Sequence, residues 1–302
     1  MHETDPLPES WTDGFVETDG VRLRYIRTGG DGPPLVVAHG VTDDAACRRP
    51  LIRDLADEYD VIAYDARGHG LSDAPDSGYD VDTRGADLLA VCDALDLDDP
   101  FFLGHSMGGD TVLAAAAAAP HRPRAVVAVD PACFLGPVED EKAEDDQDDD
   151  TETSDADGGD GEGGGGHPDD MREMVQWWQD HSKAELIEAD DELRAHAAAG
   201  EDEMASLLAD ARLRVSPEIQ RVFDAGWLDP AERFPDIEAP TLIVRADADE
   251  TERARDRDLA SLIEDADLVH VDGAGHTVFR DERETATWAV RNFLEGNRGR
   301  LY

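Results

Sequence analysis

Gly104-His105-Ser106-Met107-Gly108-Gly109 is the stretch of this chain whose residue types and spacing are best suited to chemistry. It contains a G-x-S-x-G pattern directly after the apolar run Phe101-Phe102-Leu103 and directly before a segment of helical character. Strand, tight turn and helix in that order lift a serine oxygen to the edge of a sheet. They also aim the N–H groups and positive dipole end of the helix at the same point. A serine hydroxyl is a weak nucleophile until a base takes its proton. His276, in Gly273-Ala274-Gly275-His276, is the candidate base, because it follows the serine in chain order and sits just after an apolar run ending at Val271. A carboxylate must orient the imidazole and stabilise its charged form. Asp247 and Asp249 follow the run Thr241 to Val244, and Asp130 follows Ala125 to Val129; the residues alone leave the three open. A developing oxyanion needs two backbone donors. The reading assigns them to Met107, next after the serine, and to Val41, after His39-Gly40, where a glycine lets backbone approach closely. His39, His69 and His105 lie in glycine-rich loops and read as structural or pocket-lining.

These residues need a scaffold that brings distant loops to one edge. Val21 to Arg27, Leu35 to Ala38, Val61 to Tyr64, Phe101 to Leu103, Ala125 to Val129, Thr241 to Val244 and Leu268 to Val271 read as strands. Most are short, continuous apolar runs, which suits strands buried on both faces of a parallel sheet. Helical patterns stand between them at Asp87 to Leu95, Thr111 to Ala119 and Thr285 to Leu294. The alternation predicts an α/β fold with a mostly parallel sheet covered by helices on both faces. In such a sheet the working groups gather at the carboxyl ends of the strands. The alternation breaks from Phe134 to about Phe234. The expected organisation is therefore a core of residues 1–133 and 235–302 with a helical lid, 134–234, inserted between two strands. Within the lid, 139–170 is an Asp/Glu/Gly tract too poor in apolar residues to order itself. Trp177, Trp178 and Leu186 are its apolar anchors; an apolar stripe of this kind more often packs than lines a pocket.

The composition excludes several classes of function. There are 72 Asp and Glu against 27 Lys and Arg, a net charge of −45. Such a chain repels nucleic acid phosphates and anionic membranes. Residues 139–170 carry 16 acidic groups and one Lys, so a net −30 remains on the other 270 residues. Only Lys142 and Lys183 are lysines. An acidic bias spread over the whole chain, with almost no lysine, points to a salt-adapted surface and a halophilic source. Cys47, Cys92 and Cys133 form no close-spaced motif, which argues against a disulfide framework and a zinc site. No apolar run approaches the ~20 residues that span a bilayer, and the acidic N-terminus does not resemble a signal peptide. The expectation is a cytoplasmic enzyme that acts on a small-molecule acyl substrate, without metal or organic cofactor.

Five stretches together carry a resemblance to a known family. LVVAHG (35–40), VIAYDARGHGLSD (61–73), LGHSMGG (103–109), APTLIVRADADE (239–250) and VDGAGHTV (271–278) are similar to the corresponding segments of α/β-hydrolases, in their cap-bearing esterase-like branch. In that family a G-x-x-D pattern after the penultimate strand supplies the triad acid. The resemblance to Ala246-Asp247-Ala248-Asp249 thus implies Asp249. A serine at the elbow, where the dehalogenases and epoxide hydrolases of this fold carry aspartate, implies acyl transfer to water. The resemblance implies a serine hydrolase of carboxylic esters or related acyl bonds. Its alternatives are a cofactor-free perhydrolase of the haloperoxidase kind, a C–C bond hydrolase, or a non-catalytic receptor built on the same fold.

Overall fold

The computed structural model describes residues 7–135 and 170–299. The acidic tract read as a disordered loop lies outside the described residues except for Asp170. Eight strands are present: β1 (Thr12–Thr18), β2 (Val21–Arg27), β3 (Pro34–Ala38), β4 (Asp60–Tyr64), β5 (Phe101–His105), β6 (Val126–Val129), β7 (Thr241–Arg245) and β8 (Ala266–His270). Around them lie α1 (Arg49–Leu55), α2 (Val81–Ala94), α3 (Met107–Ala118), α4 (Met171–Gln179), α5 (Lys183–Ala189), α6 (Asp191–Ala198), α7 (Asp202–Arg214), α8 (Gln220–Ala225), α9 (Pro230–Arg233), α10 (Glu250–Ala260), α11 (Val278–Asp281) and α12 (Arg283–Gly296).

The strands form one sheet in the order β1-β2-β4-β3-β5-β6-β7-β8. From β4 to β8 every pairing is parallel; β2 and β1 are added antiparallel at one side. This is the mostly parallel α/β sheet expected from the apolar runs. Alternate residues of each strand face opposite sides. Val36, Ile62, Phe102, Val126 and Ile243 therefore pack with Leu88, Val91 and Leu113 of α2 and α3. Leu35, Val61, Phe101, Val127 and Val244 pack with Ile52, Leu55, Val290 and Leu294 of α1 and α12.

Elements of the core escape the sequence reading, among them β1, α10 and the short helices α1 and α11. In β1 only Val16 is buried, so it presents no apolar run. It is held by a hairpin through Asp19-Gly20, both at positive φ, the conformation of a type I′ turn. Helix α10 buries Asp256 and Ala260 in place of an apolar stripe. A search for apolar periodicity cannot find a helix whose inner face carries an aspartate.

Between β6 and β7 the described residues form helices, α4 to α9, and no strand. Val175, Trp178, Leu186, Leu193, Leu207 and Leu208 form an apolar cluster of the insert's own, with Cys47 of the core at its base. Trp178 and Leu186 are packing residues, whereas Trp177 is exposed. Ion pairs fasten the insert to the core: Glu192 of α6 meets Arg280 of α11 at 2.9 Å. The parallel strands all end at one edge, which carries Gly40, Ser106, Asp130, Ala246 and the loop before α11.

Candidate active site

Ser106 sits between β5 and α3 with φ 54° and ψ −120°. A non-glycine residue in that region is strained and persists only where its surroundings over-determine it. Here its N–H donates to Val129 O at 3.0 Å and its carbonyl accepts from Asp110 N at 3.2 Å. The flanking glycines are sterically required. A Cβ on Gly104 would run into the carbonyl of Gly108, and one on Gly108 into the carbonyl of Ala38. The close approach of strand and helix that projects the serine is thus written into the two glycines.

His276 Nε2 lies 2.9 Å from Ser106 Oγ, and His276 Nδ1 lies 2.6 Å from Asp130 Oδ2. Since a carboxylate only accepts, Nδ1 carries the proton and Nε2 is free to take the serine's. Asp130 is buried and has φ 42°, which turns its side chain from the end of β6 toward the histidine. Its other oxygen accepts from the Arg245 guanidinium and from Ala246 N–H at 3.1 Å. Burial alone would raise this carboxyl; the His276 hydrogen bond and the Arg245 charge outweigh it and hold the group below the ordinary carboxylate range.

Asp249, implied as the partner of the histidine, is engaged elsewhere. It is an exposed residue that caps α10, accepting from Thr251 N at 2.8 Å and Glu252 N at 2.9 Å. Asp247 accepts from Gly273 N at 2.9 Å and pairs with Arg253. It braces the loop that carries the histidine without touching the ring. The carboxylate that meets the histidine is therefore the one after β6, an option the residue pattern had left open. The available signal was Arg245: a cation closing the apolar strand TLIVR must find a buried anion.

Of the two residues expected to supply oxyanion donors, Met107 is the first residue of α3, where N–H groups have no acceptor within the helix. Val41 follows Gly40, at which a Cβ would stand 3.5 Å from that of Ser106. His69 Nε2 meets the Val41 carbonyl at 2.7 Å and fixes that peptide. His39 and His105 are both buried and both tie loops together. His39 accepts from Ala66 N at 2.9 Å, and burial pushes its pKa down to about 3. His105 Nε2 reaches the carbonyl of His276 at 2.8 Å, and its Nδ1 meets Arg48 at 3.2 Å. Burial, the Arg48 charge and the nearby His276 hold it well below the usual histidine range. It is neutral, donating from Nε2 to the backbone of the very residue that faces the serine. Val222, with Phe223 and Trp227 beside it, packs over Met107 and Tyr79. An apolar wall next to the elbow thus comes from the chain just after the insert's main helices, which sequence reasoning did not single out. Among the described residues no cluster of three or more His, Cys, Asp or Glu is arranged to hold a metal ion, and no helix is long and apolar enough to cross a membrane.

Residues 33–282 match the sequence profile of the α/β hydrolase fold. The N-formylmaleamate deformylase of Pseudomonas putida is 29% identical over 287 residues, covering 93% of this chain and 96% of the relative. The 2-(acetamidomethylene)succinate hydrolase of Mesorhizobium japonicum is 38% identical over 105 residues, 35% of this chain and 38% of that protein. Among solved structures, the N-formylmaleamic acid deformylase of Pseudomonas putida S16 superposes with a TM-score of 0.70 at 24% identity, covering 92% of this chain and 100% of that one.

Proposed function

This chain belongs to the α/β-hydrolase fold family, and from that premise we propose that it hydrolyses a carboxylic ester or a related acyl bond through a covalent intermediate on Ser106. The observation that carries the reading is the continuous hydrogen-bonded line Ser106 Oγ, His276 Nε2, His276 Nδ1, Asp130 Oδ2. His276 removes the serine proton as Oγ attacks the acyl carbon. The oxyanion that forms is met by the N–H groups of Met107 and Val41. The C–O or C–N bond to the leaving group then breaks, and His276 returns the proton to the departing atom. Water, deprotonated by the same imidazole, releases the acid and restores Ser106. Asp130 stays ionised throughout and stabilises the imidazolium.

The full-length relative is named for removing a formyl group from an N-formyl acid, which favours small amides within the acyl class. Haloperoxidases align over only about a third of this chain, so the perhydrolase reading has weaker support. A test panel of esters of graded acyl length and N-formyl amides would identify the bond cleaved. Fluorophosphonate labelling should be lost in Ser106→Ala, with turnover falling on the order of 10⁶-fold by analogy with other triads. Near-wild-type turnover in a folded Ser106→Ala protein would remove the reading.

We further infer that the acidic surface is an adaptation to a salt-rich cytoplasm. Like charges destabilise a compact state through self-repulsion, and screening shortens its range from ~10 Å at 0.1 M salt to ~3 Å at 1 M. Thermal midpoints should climb between about 0.1 M and 3 M KCl; a flat or falling series contradicts the adaptation.

A further inference from the structure

Behind Asp130 a row of buried charges runs across the sheet. Arg245, the last residue of β7, pairs with Asp130 on one side and with Asp256 of α10 on the other, its Nε 2.9 Å from Asp256 Oδ2. Asp256 in turn meets His270 Nε2, at the end of β8, at 3.0 Å. Three neighbouring strands and one helix each contribute a member. All four side chains are buried, Asp256 and Asp130 almost completely. The Phe134 ring lies 5.3 Å from the guanidinium carbon.

Burying charges is costly, and an apolar set of similar volume commonly serves stability as well or better. The placement of this set suggests another purpose. Asp130 has one oxygen on His276 and the other on Arg245, so its carboxylate is gripped from two sides and cannot swing. Arg245 is itself gripped by Asp256. We propose that Arg245 is a positioning residue of the hydrolytic site: it holds one oxygen of Asp130 so that the other meets His276, and its charge offsets part of the carboxylate's attraction for the imidazole proton. This rests on Ser106 and His276 acting as nucleophile and base. The acid after β6 and the arginine ending β7 form one device. The arginine anchors the transposed carboxylate at the strand end where the family places its usual acid.

The charge part has a definite sign. Without the Arg245 cation the imidazolium beside Asp130 is favoured, so the enzyme needs a higher pH to present a free base. The other charged and titratable groups around His276 stay in place. They are His105 from β5, the Arg48–Asp43 pair behind it, Asp281 of α11, and Asp256, Arg255 and His270 around the arginine.

The test is the pH profile of kcat/KM, from about pH 5 to 9, for wild type, Arg245→Gln, Arg245→Lys and the double variant Arg245→Gln with Asp256→Asn. The Gln variant should lose roughly 10- to 100-fold in kcat with KM nearly unchanged. Its acid limb should move up by on the order of one pH unit. The Lys variant should keep the wild-type limb and recover part of kcat. The double variant also neutralises the carboxylate that loses its arginine partner in the Gln variant; if the Gln variant does not fold, the double variant must show an upward shift, smaller because loss of the Asp256 charge acts in the opposite sense. A purely structural arginine would lower the thermal midpoint and the active fraction and leave the limb of the surviving enzyme unmoved, and that result overturns the proposal. Fluorophosphonate labelling of wild type and Ser106→Ala is read separately. If Ser106 is not the labelled residue, the underlying site assignment fails and takes this proposal with it. If it is labelled and the limb does not move, only the role of Arg245 fails.

Discussion

Two neighbouring strand ends offer a carboxylate to the histidine, and only one delivers it. After β6 stands a single aspartate, Asp130, buried and left-handed, with both oxygens bound. After β7 stand two, Asp247 and Asp249, both exposed and both occupied with backbone N–H groups, Asp247 with Gly273 of the loop after β8 and Asp249 with the first turn of α10. The first fits a place where a fixed charge must face a ring. The second fits the work of starting a helix and bracing a turn. Sequence spacing cannot distinguish these uses, because both place an acid just beyond an apolar strand at the same sheet edge. Burial and the presence of a buried counter-cation separate them.

The sharpest way to break the comparison is to neutralise each acid without changing its shape. Asp130→Asn should cost up to ~10⁴ in kcat, through the wrong imidazole tautomer and the lost charge opposite the imidazolium. Asp249→Asn should leave kcat/KM within about 2-fold, since an asparagine caps a helix as an aspartate does. Steady-state kinetics on the best substrate of the ester and amide panel reads both. A severe Asp249 variant with a mild Asp130 variant would return the acid to β7.

Much of the scaffold behind this contrast was legible. Five parallel strands announced themselves as apolar runs because a sheet covered on both faces admits little else. The elbow announced itself because only glycines fit at 104 and 108. The reading of Ser106 and His276 needed only chain order and strand ends, and the structure brings the two side chains together. The choice of acid depended on a backbone angle at residue 130 and on the reach of Arg245 to the neighbouring strand end, and neither leaves a periodic trace. The same arginine–aspartate pairing hid α10, whose buried face holds Asp256. Where a fold buries charge in place of hydrocarbon, as in α10, apolar periodicity falls silent; β1 is hardly buried at all, and α1 and α11, of seven and four residues, are too short to show a stripe.

A smaller effect sharpens the β6 side. Two imidazoles lie near each other there, His105 and His276, with ring centroids 5.0 Å apart. His105 stays neutral because burial and the adjacent Arg48 and His276 hold its pKa well below the ordinary value. The acid limb of kcat/KM should therefore fall with a slope of one, a single proton. A slope of two would mean that His105 titrates together with His276 and that its Nδ1, once protonated, gives up the hydrogen bond it accepts from Arg48 in the same pH range.

A further contrast lies within the β7 end itself. Asp247 holds Gly273 N, three residues before the histidine, and Asp247 N donates to Ala274 O at 2.8 Å. Asp247→Ala should loosen the loop and lower kcat by roughly 3- to 10-fold, a modest misplacement of the base rather than loss of a charge. An unchanged kcat would show that the backbone bond alone holds the loop.

The smallest expected effect concerns stability and separates the two ends by kind of readout. Asp249 and Glu252 form a reciprocal capping box at the start of α10, each side chain meeting the other's backbone N–H. Removing such a cap leaves helix N–H groups without a partner and typically costs about 1 kcal/mol. For a chain of this size that is a fall in thermal midpoint of about 2 to 4 °C. Asp249→Ala should therefore melt earlier by that amount, while its kcat stays near wild type, because the cap is remote from the proton path and α10 is also held from inside by Asp256. Asp130→Asn should behave in the opposite manner, with a large loss of rate. The two variants measured side by side form a crossed pair, in which one acid acts on the reaction and the other on the helix. If Asp249→Ala loses activity in proportion to its loss of stability, α10 transmits to the site through Asp256 and Arg245, and the β7 end then contributes to the chemistry through the helix it starts rather than through its own carboxylate.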